Sequence, residues 1–308
     1  MSIGERESPT FPPIVPLIPE IDLINVIKLY LYFNETKLIN NLNSAIFAIF
    51  KNNLYMNFFL TDIAKRTKQP RENGLTMMMD KGLSLNQARE FVSMNSSHTD
   101  IIKLGFGTSA ISPDVEEKIR FYQESGLKVY LGGTMFEAFI IRGMYEDYKD
   151  LLRKWNVKMC EVSDGSMEMS HDKKCDYISD LSKEFLVVSE VGSKDDNKDL
   201  PTDLWIDLMQ KELKAGSWKV IAEAREGGNV GVFGSGGKVK SDLIDEIIKN
   251  VPSDKILWEA PNKYQQVWFI KLIGPNVNLG NISYNEVIPL ETLRIGLRGD
   301  TFFDYLSK

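Results

Sequence analysis

Carboxylates and cations recur along this 308-residue chain, each time directly after a short apolar run. The strings are Asp80-Lys81-Gly82, Lys103-Leu104-Gly105, Gly132-Gly133-Thr134, Glu161-Val162-Ser163-Asp164-Gly165-Ser166, Glu190-Val191-Gly192-Ser193-Lys194, Glu223-Ala224-Arg225-Glu226, Glu259-Ala260-Pro261 and Asn278-Leu279-Gly280-Asn281. Ionised groups gathered in a protein interior are costly unless they pair or hold a metal. Oxygen donors without histidine suit Mg²⁺ better than Zn²⁺, and only His98 and His171 occur. Glu161, Asp164, Glu190 and Glu223 are therefore the expected Mg²⁺ ligands. Lys81, Lys103 and Lys194 beside them, with Arg225, make a receptor for an anion, and Gly82, Gly105, Gly192 and Gly280 let backbone N–H groups approach phosphate oxygens. A phosphorylated small acid fits that description. The structural alternative is a set of ion pairs capping the end of the fold.

The elements that must position these groups are legible in the periodicity. Strand-like runs occupy 75–80, 101–105, 128–132, 158–163, 185–190, 218–223, 256–259 and 276–282, and helical patterns at 113–125, 136–155, 173–183, 201–215, 241–250 and 263–273 lie between them. Gly126, Gly216 and Gly274 stand where helix C-caps need positive φ. Eight β-α units predict a (β/α)8 TIM barrel, whose chemistry sits at the C-terminal ends of the strands. A doubly wound open sheet is the runner-up, but no GxGxxG follows the first strand. The segment 290–301 follows the eighth strand, where barrels often seat phosphate, so Arg294 or Arg298 is placed to bind it; neutralising a helix C-terminus is the alternative. The glycine-rich stretch 227–237 reads as a lid or a surface loop. His98 precedes the second strand and reads as structural, His171 lies in the loop after the fourth strand, and Cys160 and Met77–Met79 read as core.

Residues 1–70 differ in texture, opening with Pro9, Pro12, Pro13, Pro16 and Pro19 and continuing with an Asn-, Ile- and Phe-rich stretch over 21–60. The apolar run 45–50 stops at Lys51-Asn52-Asn53, too short for a membrane span. The charged opening Met1–Glu7 is a poor signal peptide. An N-terminal extension over 1–70, one or two amphipathic helices with the first ~20 residues loose, is expected ahead of a barrel over 71–308. Apolar residues at 43% and charged residues at 26% describe a globular chain. A net charge of −6 and a pI near 5.2 give no basic field for nucleic acid. Cys160 and Cys175 form no CxxC pair, which points to a reducing compartment, the cytoplasm. The apolar extension could also supply the interface of a homo-oligomer.

Taken together, the strings TMMMDKG (76–82), KLGFGTS (103–109), GGTMFE (132–137), EVSDGS (161–166), EVGSK (190–194), EARE (223–226), EAP (259–261) and GPNVNLGNI (274–282), with 290–301, resemble the phosphosulfolactate synthase family. The match runs in order over 71–303. The resemblance implies a Mg²⁺-dependent barrel enzyme that adds sulfite to phosphoenolpyruvate, giving (2R)-phospho-3-sulfolactate on a route to coenzyme M. It places the family's proposed general acid on Lys194. The expected catalytic set is then Lys194, Lys81 and Glu190, with Lys103, Arg225, Asn278, Asn281 and Arg298 binding substrate. A related branch, the plant heat-stress-associated proteins, offers a non-catalytic alternative, and another lyase using phosphoenolpyruvate offers a third.

Overall fold

The computed structural model describes residues 57, 60–192, 200–224, 231–234 and 239–306. The chain divides into two compact units, Met1–Thr61 and Asp62–Lys308. The second begins earlier than the expected residue 71, because Arg66, Thr67, Gln69 and Arg71 are already hydrogen-bonded into it.

Eight strands build this unit among the described residues: β1 (Thr76–Asp80), β2 (Ile101–Leu104), β3 (Lys128–Leu131), β4 (Met159–Val162), β5 (Leu186–Val191), β6 (Lys219–Ala222), β7 (Ile256–Glu259) and β8 (Leu279–Ser283). All are parallel, in the order β3-β2-β1-β8-β7-β6-β5-β4. β3 and β4 lie side by side and nearly close the ring, as expected of a (β/α)8 barrel. The helices between them are α1 (Leu85–Asn95), α2 (Val115–Glu124), α3 (Gly133–Ile140), α4 (Tyr145–Lys154), α5 (His171–Leu181), α6 (Thr202–Ala215), α7 (Ser241–Asn250), α8 (Lys263–Ile273) and α9 (Val287–Arg294). The expected helix 136–155 is two helices, broken where Gly143 takes φ 68°. Gly126, Gly216 and Gly274 do end their helices with positive φ.

Side-chain parity decides what faces inward. Met77, Ile101, Tyr130, Met159, Val188, Ile221 and Leu257 pack as one cluster in the barrel centre. Met78, Ile102, Val129, Cys160, Val187, Val220 and Trp258 pack outward under the helices. Because side chains alternate along a strand, the residue two beyond each inward apolar one also faces inward. This rule carries Lys103, Glu161, Glu190, Glu223 and Glu259 to the inner rim. In β8 a bulge intervenes: Thr76 pairs with Leu279 but Met78 with Ile282, and Asn281 takes φ 57°. Gly280 leaves space there for the Met77 side chain, whose Cε would lie 2.7 Å from an added Cβ.

The opposite end of the barrel is closed by arginines. Arg71 pairs with Asp100 at 2.9 Å, and Asp100 accepts from Thr76 N at 2.8 Å. Arg294, fully buried, donates to the carbonyls of Pro275, Val277 and Leu75 at 2.8, 2.7 and 3.1 Å. No helix among the described residues is long and apolar enough to cross a membrane.

Candidate active site

At the C-terminal rim, Lys103 Nζ lies 3.0 Å from Glu161, 3.3 Å from Glu259 and 3.6 Å from Glu190. Glu190, Glu223 and Glu259 each present an oxygen within 4.8 Å of the others, and all three are buried. Glu161 Oε1 accepts from Gly133 N, at the start of α3, at 2.9 Å. Glu259 Oε2 accepts from Ala224 N at 3.0 Å. Burial works against the Lys103 ammonium, yet Glu161, with Tyr130, Glu259 and Glu190, outweighs it and holds the lysine well above its ordinary range. Burial pushes the Glu259 carboxyl up to about 7, although Lys103 and the Ala224 N–H oppose that rise. Among the described residues Glu161, Glu190 and Glu259 thus share Lys103, with Glu223 buried beside them. Hard oxygen donors of this kind fit a divalent cation of the Mg²⁺ type, and Glu190, Glu223 and Glu259 are the three whose oxygens converge closely enough to take one.

Local sequence explains how these ends come together. Gly192, φ 139°, passes so close to its neighbours that an added Cβ would lie 2.5 Å from Glu223 Cβ and 2.9 Å from Trp205. Glycine is therefore required for the ends of β5 and β6 to meet. Glu137 on α3 accepts from Ser163 Oγ at 2.5 Å and from Ser166 N at 3.1 Å, fastening the loop after β4. The chain returns beyond β6 through Val232 N, which donates to Glu223 O, and an antiparallel bridge between Phe233 and Val239.

The residues expected from sequence divide into groups. Glu190 and Glu223 are in the carboxylate cage, and Glu161 is at its edge, engaged by Lys103 and the start of α3. Asp164 lies outside it, bonded to Lys174 Nζ at 2.8 Å, because it falls beyond the end of β4 where strand parity no longer applies. Lys103, expected to bind substrate, pairs with Glu161, Glu259 and Glu190. Lys81 is exposed beside the Phe106 ring, 5.6 Å from its centroid. Its neighbour Asp80 has the outward parity and pairs with Lys118 at 2.9 Å. Asn281 is buried at the β8 bulge.

Asn278 and Arg294 belong to the other end of the barrel. Asn278 accepts from Leu75 N and donates to Asp254 O and Ile256 O, because β8 starts at Leu279 and Asn278 precedes it. Arg298 follows α9 and forms no hydrogen bond or ion pair with a cage carboxylate; its carbonyl accepts from Thr301 N at 2.9 Å. Lys194, Arg225 and most of the glycine-rich stretch lie outside the described residues. Glu259 was not among the expected ligands, although its signal was present: it stands two residues after the inward Leu257, as Glu223 does after Ile221.

Comparison with known proteins places these features. A family model described as (2R)-phospho-3-sulfolactate synthase matches residues 64–300. The phosphosulfolactate synthase of Bacillus subtilis (strain 168) is 39% identical over 251 residues, covering 80% of this chain and 100% of that protein. The phosphosulfolactate synthase of Methanocaldococcus jannaschii is 42% identical over 237 residues, covering 75% of this chain and 94% of that protein. Protein HEAT-STRESS-ASSOCIATED 32 of Arabidopsis thaliana is 24% identical over 261 residues, covering 74% and 88% respectively.

Proposed function

Because this chain belongs to the (2R)-phospho-3-sulfolactate synthase family and is an enzyme of that type, we propose that it adds sulfite to phosphoenolpyruvate, with Mg²⁺ as cofactor, to give (2R)-phospho-3-sulfolactate. The observation that carries this reading is the buried convergence of Glu190, Glu223 and Glu259 around the strand ends, with Lys103 beneath them. Among the described residues the rim carries more carboxylates than cations, an arrangement that repels two anionic substrates. A divalent cation, together with Lys81, Lys194 and Arg225, reverses that sign.

In the proposed reaction the sulfite sulfur forms a bond to C3, the C2–C3 π pair moves to C2, and a proton is then added at C2. Negative charge at C2 spreads into the adjacent carboxylate, where preorganised positive charge lowers the barrier. Glu190, Glu223 and Glu259 would hold Mg²⁺, which when bound would supply Lewis acidity toward the substrate's anionic oxygens. Lys103 keeps the carboxylates gathered, Glu161 orients Lys103, and Lys81 and Arg225 receive carboxylate, sulfite or phosphate. Lys194 is the proposed acid that protonates C2. Two free cysteines, one of them buried, fit our placement of the enzyme in the reducing cytoplasm.

A second reading is another lyase acting on phosphoenolpyruvate, which the same carboxylates and lysines would serve. Incubation of the purified chain with phosphoenolpyruvate, sulfite and Mg²⁺, followed by loss of enol absorbance, separates the two. Turnover is expected in wild type, none with a chelator, and at least about a hundredfold less in folded Lys194→Ala, the usual scale of a general acid. A folded wild type without turnover under these conditions supports the second reading.

A further inference from the structure

We infer that Lys174 is a positioning residue for the metal cage, a role that rests on the cation-binding reading above. Lys174 stands in the first turn of α5 with its side chain 2% exposed. Its ammonium reaches three elements at once. It donates to the main-chain carbonyl of Glu190 at 2.6 Å, to Asp164 Oδ1 in the loop after β4 at 2.8 Å, and pairs with Glu212 Oε1 on α6 at 2.8 Å. Two of those contacts are hydrogen bonds and the one to Glu212 is an ion pair.

The bond to Glu190 O has a topological reason. Successive carbonyls of a strand point to opposite sides in the plane of the sheet. Val191 O accepts from Glu223 N on the β6 side, so Glu190 O points toward β4. The β4 ladder ends at the pair Val162 and Ser189, one residue short of Glu190. Lys174 therefore takes the place of a strand partner for the residue whose carboxylate enters the cage. Packing alone does not hold that strand end: a pocket of about 440 Å³ lies against it, lined by Asp164, His171, Lys174, Val191 and Gly192 among others. Hydrogen bonds from Lys174 fix the backbone from which the Glu190 carboxylate is launched, and the same ammonium locks the neighbouring loop. Partners of metal ligands tune affinity in this way.

Lys118 provides the control. It is equally buried on α2 and donates to Leu83 O at 2.8 Å and to Asp80 at 2.9 Å, but touches no cage residue. Mn²⁺ binding by the full chain, read from the electron paramagnetic resonance of free Mn²⁺, tests the inference with Lys174→Met/Glu212→Gln and Lys118→Met/Asp80→Asn. Neutralising both partners avoids stranding a single buried charge. At least tenfold weaker binding is expected in the first pair at unchanged circular dichroism, and affinity within threefold of wild type in the second. Wild-type-like affinity in the first pair, or equal loss in both, overturns the inference. Should the first pair not fold, Lys174→Arg keeps the charge while its longer, planar head displaces the Glu190 carbonyl; unchanged affinity there overturns it too. A wild type that binds no Mn²⁺ refutes the cage itself and is read separately, before any variant.

Discussion

Lys103 has three carboxylates within 3.6 Å and almost no solvent, so its removal strands several buried anions. Breaking a buried ion cluster in this way costs about 3–5 kcal/mol. Lys103→Met is expected to melt much lower than wild type, and saturating Mg²⁺ to restore more of the melting temperature in the variant than it adds to wild type. Equal Mg²⁺ shifts in the two would contradict the shared electrostatics. At the far end of the barrel, Lys219 Nζ donates to Asp254 O at 2.6 Å and lies 4.5 Å from the Trp218 ring centroid, and burial pushes its pKa down to about 8. Between pH 8 and the ordinary lysine value near 10.5, the unfolded chain binds a proton that the folded chain has lost, so stability rises with pH across that window and is flat below it. Urea unfolding at pH 7.5 and 10 should show wild type gaining about 2–3 kcal/mol relative to Lys219→Met; no relative gain would show that the Lys219 ammonium is not depressed. Glu190, Glu223 and Lys103 were legible in the sequence because each stands two residues beyond an apolar strand residue. Asp80 and Asp164 misled because one has the opposite parity and the other lies past its strand.

Among the elements, the meeting of β5 and β6 depends on Gly192. Gly192→Ala places a methyl against Glu223 and Trp205 in a backbone conformation that L residues avoid, a combined cost of about 2–4 kcal/mol. The variant should also bind Mn²⁺ more weakly, since the clash falls on Glu223 itself; a destabilised variant with wild-type affinity would separate strand packing from the cage. Arg294 makes the opposite case. Its three carbonyl partners belong to the closed end of the barrel, so Arg294→Met should lose about 3 kcal/mol or more through unmet acceptors, while KM for phosphoenolpyruvate stays within twofold. A raised KM would return Arg294 to the substrate site that its place in the sequence suggested. That expectation came from the usual phosphate seat after the eighth strand, and periodicity could not show that α9 delivers its last turn to the other end. The break between α3 and α4 was equally hidden, because apolar spacing continues across Gly143 although its left-handed backbone ends the helix. Strand number and order of elements were legible because each β-α unit repeats its own alternation and three of the helices close with a glycine, Gly126, Gly216 and Gly274.

For the whole molecule, the unit Asp62–Lys308 carries every element of the barrel, and the Bacillus subtilis relative aligns over its full length with 80% of this chain. A chain beginning at Asp62 is therefore expected to fold and to keep kcat/KM within threefold of the full chain; circular dichroism and steady-state assays check this, and loss of folding would make the first 61 residues part of the barrel's stability. Composition and charge argue against nucleic acid as a main partner, but do not choose among reactions that one set of carboxylates and lysines could serve. The reaction run in D₂O makes that choice most directly, with the product's ¹H and ³¹P spectra read after phosphoenolpyruvate, sulfite and Mg²⁺ are mixed with the enzyme. Sulfite addition at C3 with protonation at C2 predicts a phosphosulfolactate carrying one deuterium at C2 and both original hydrogens at C3, formed only when the chelator is absent. Deuterium at C3, or a folded enzyme that leaves phosphoenolpyruvate unchanged, would contradict the account.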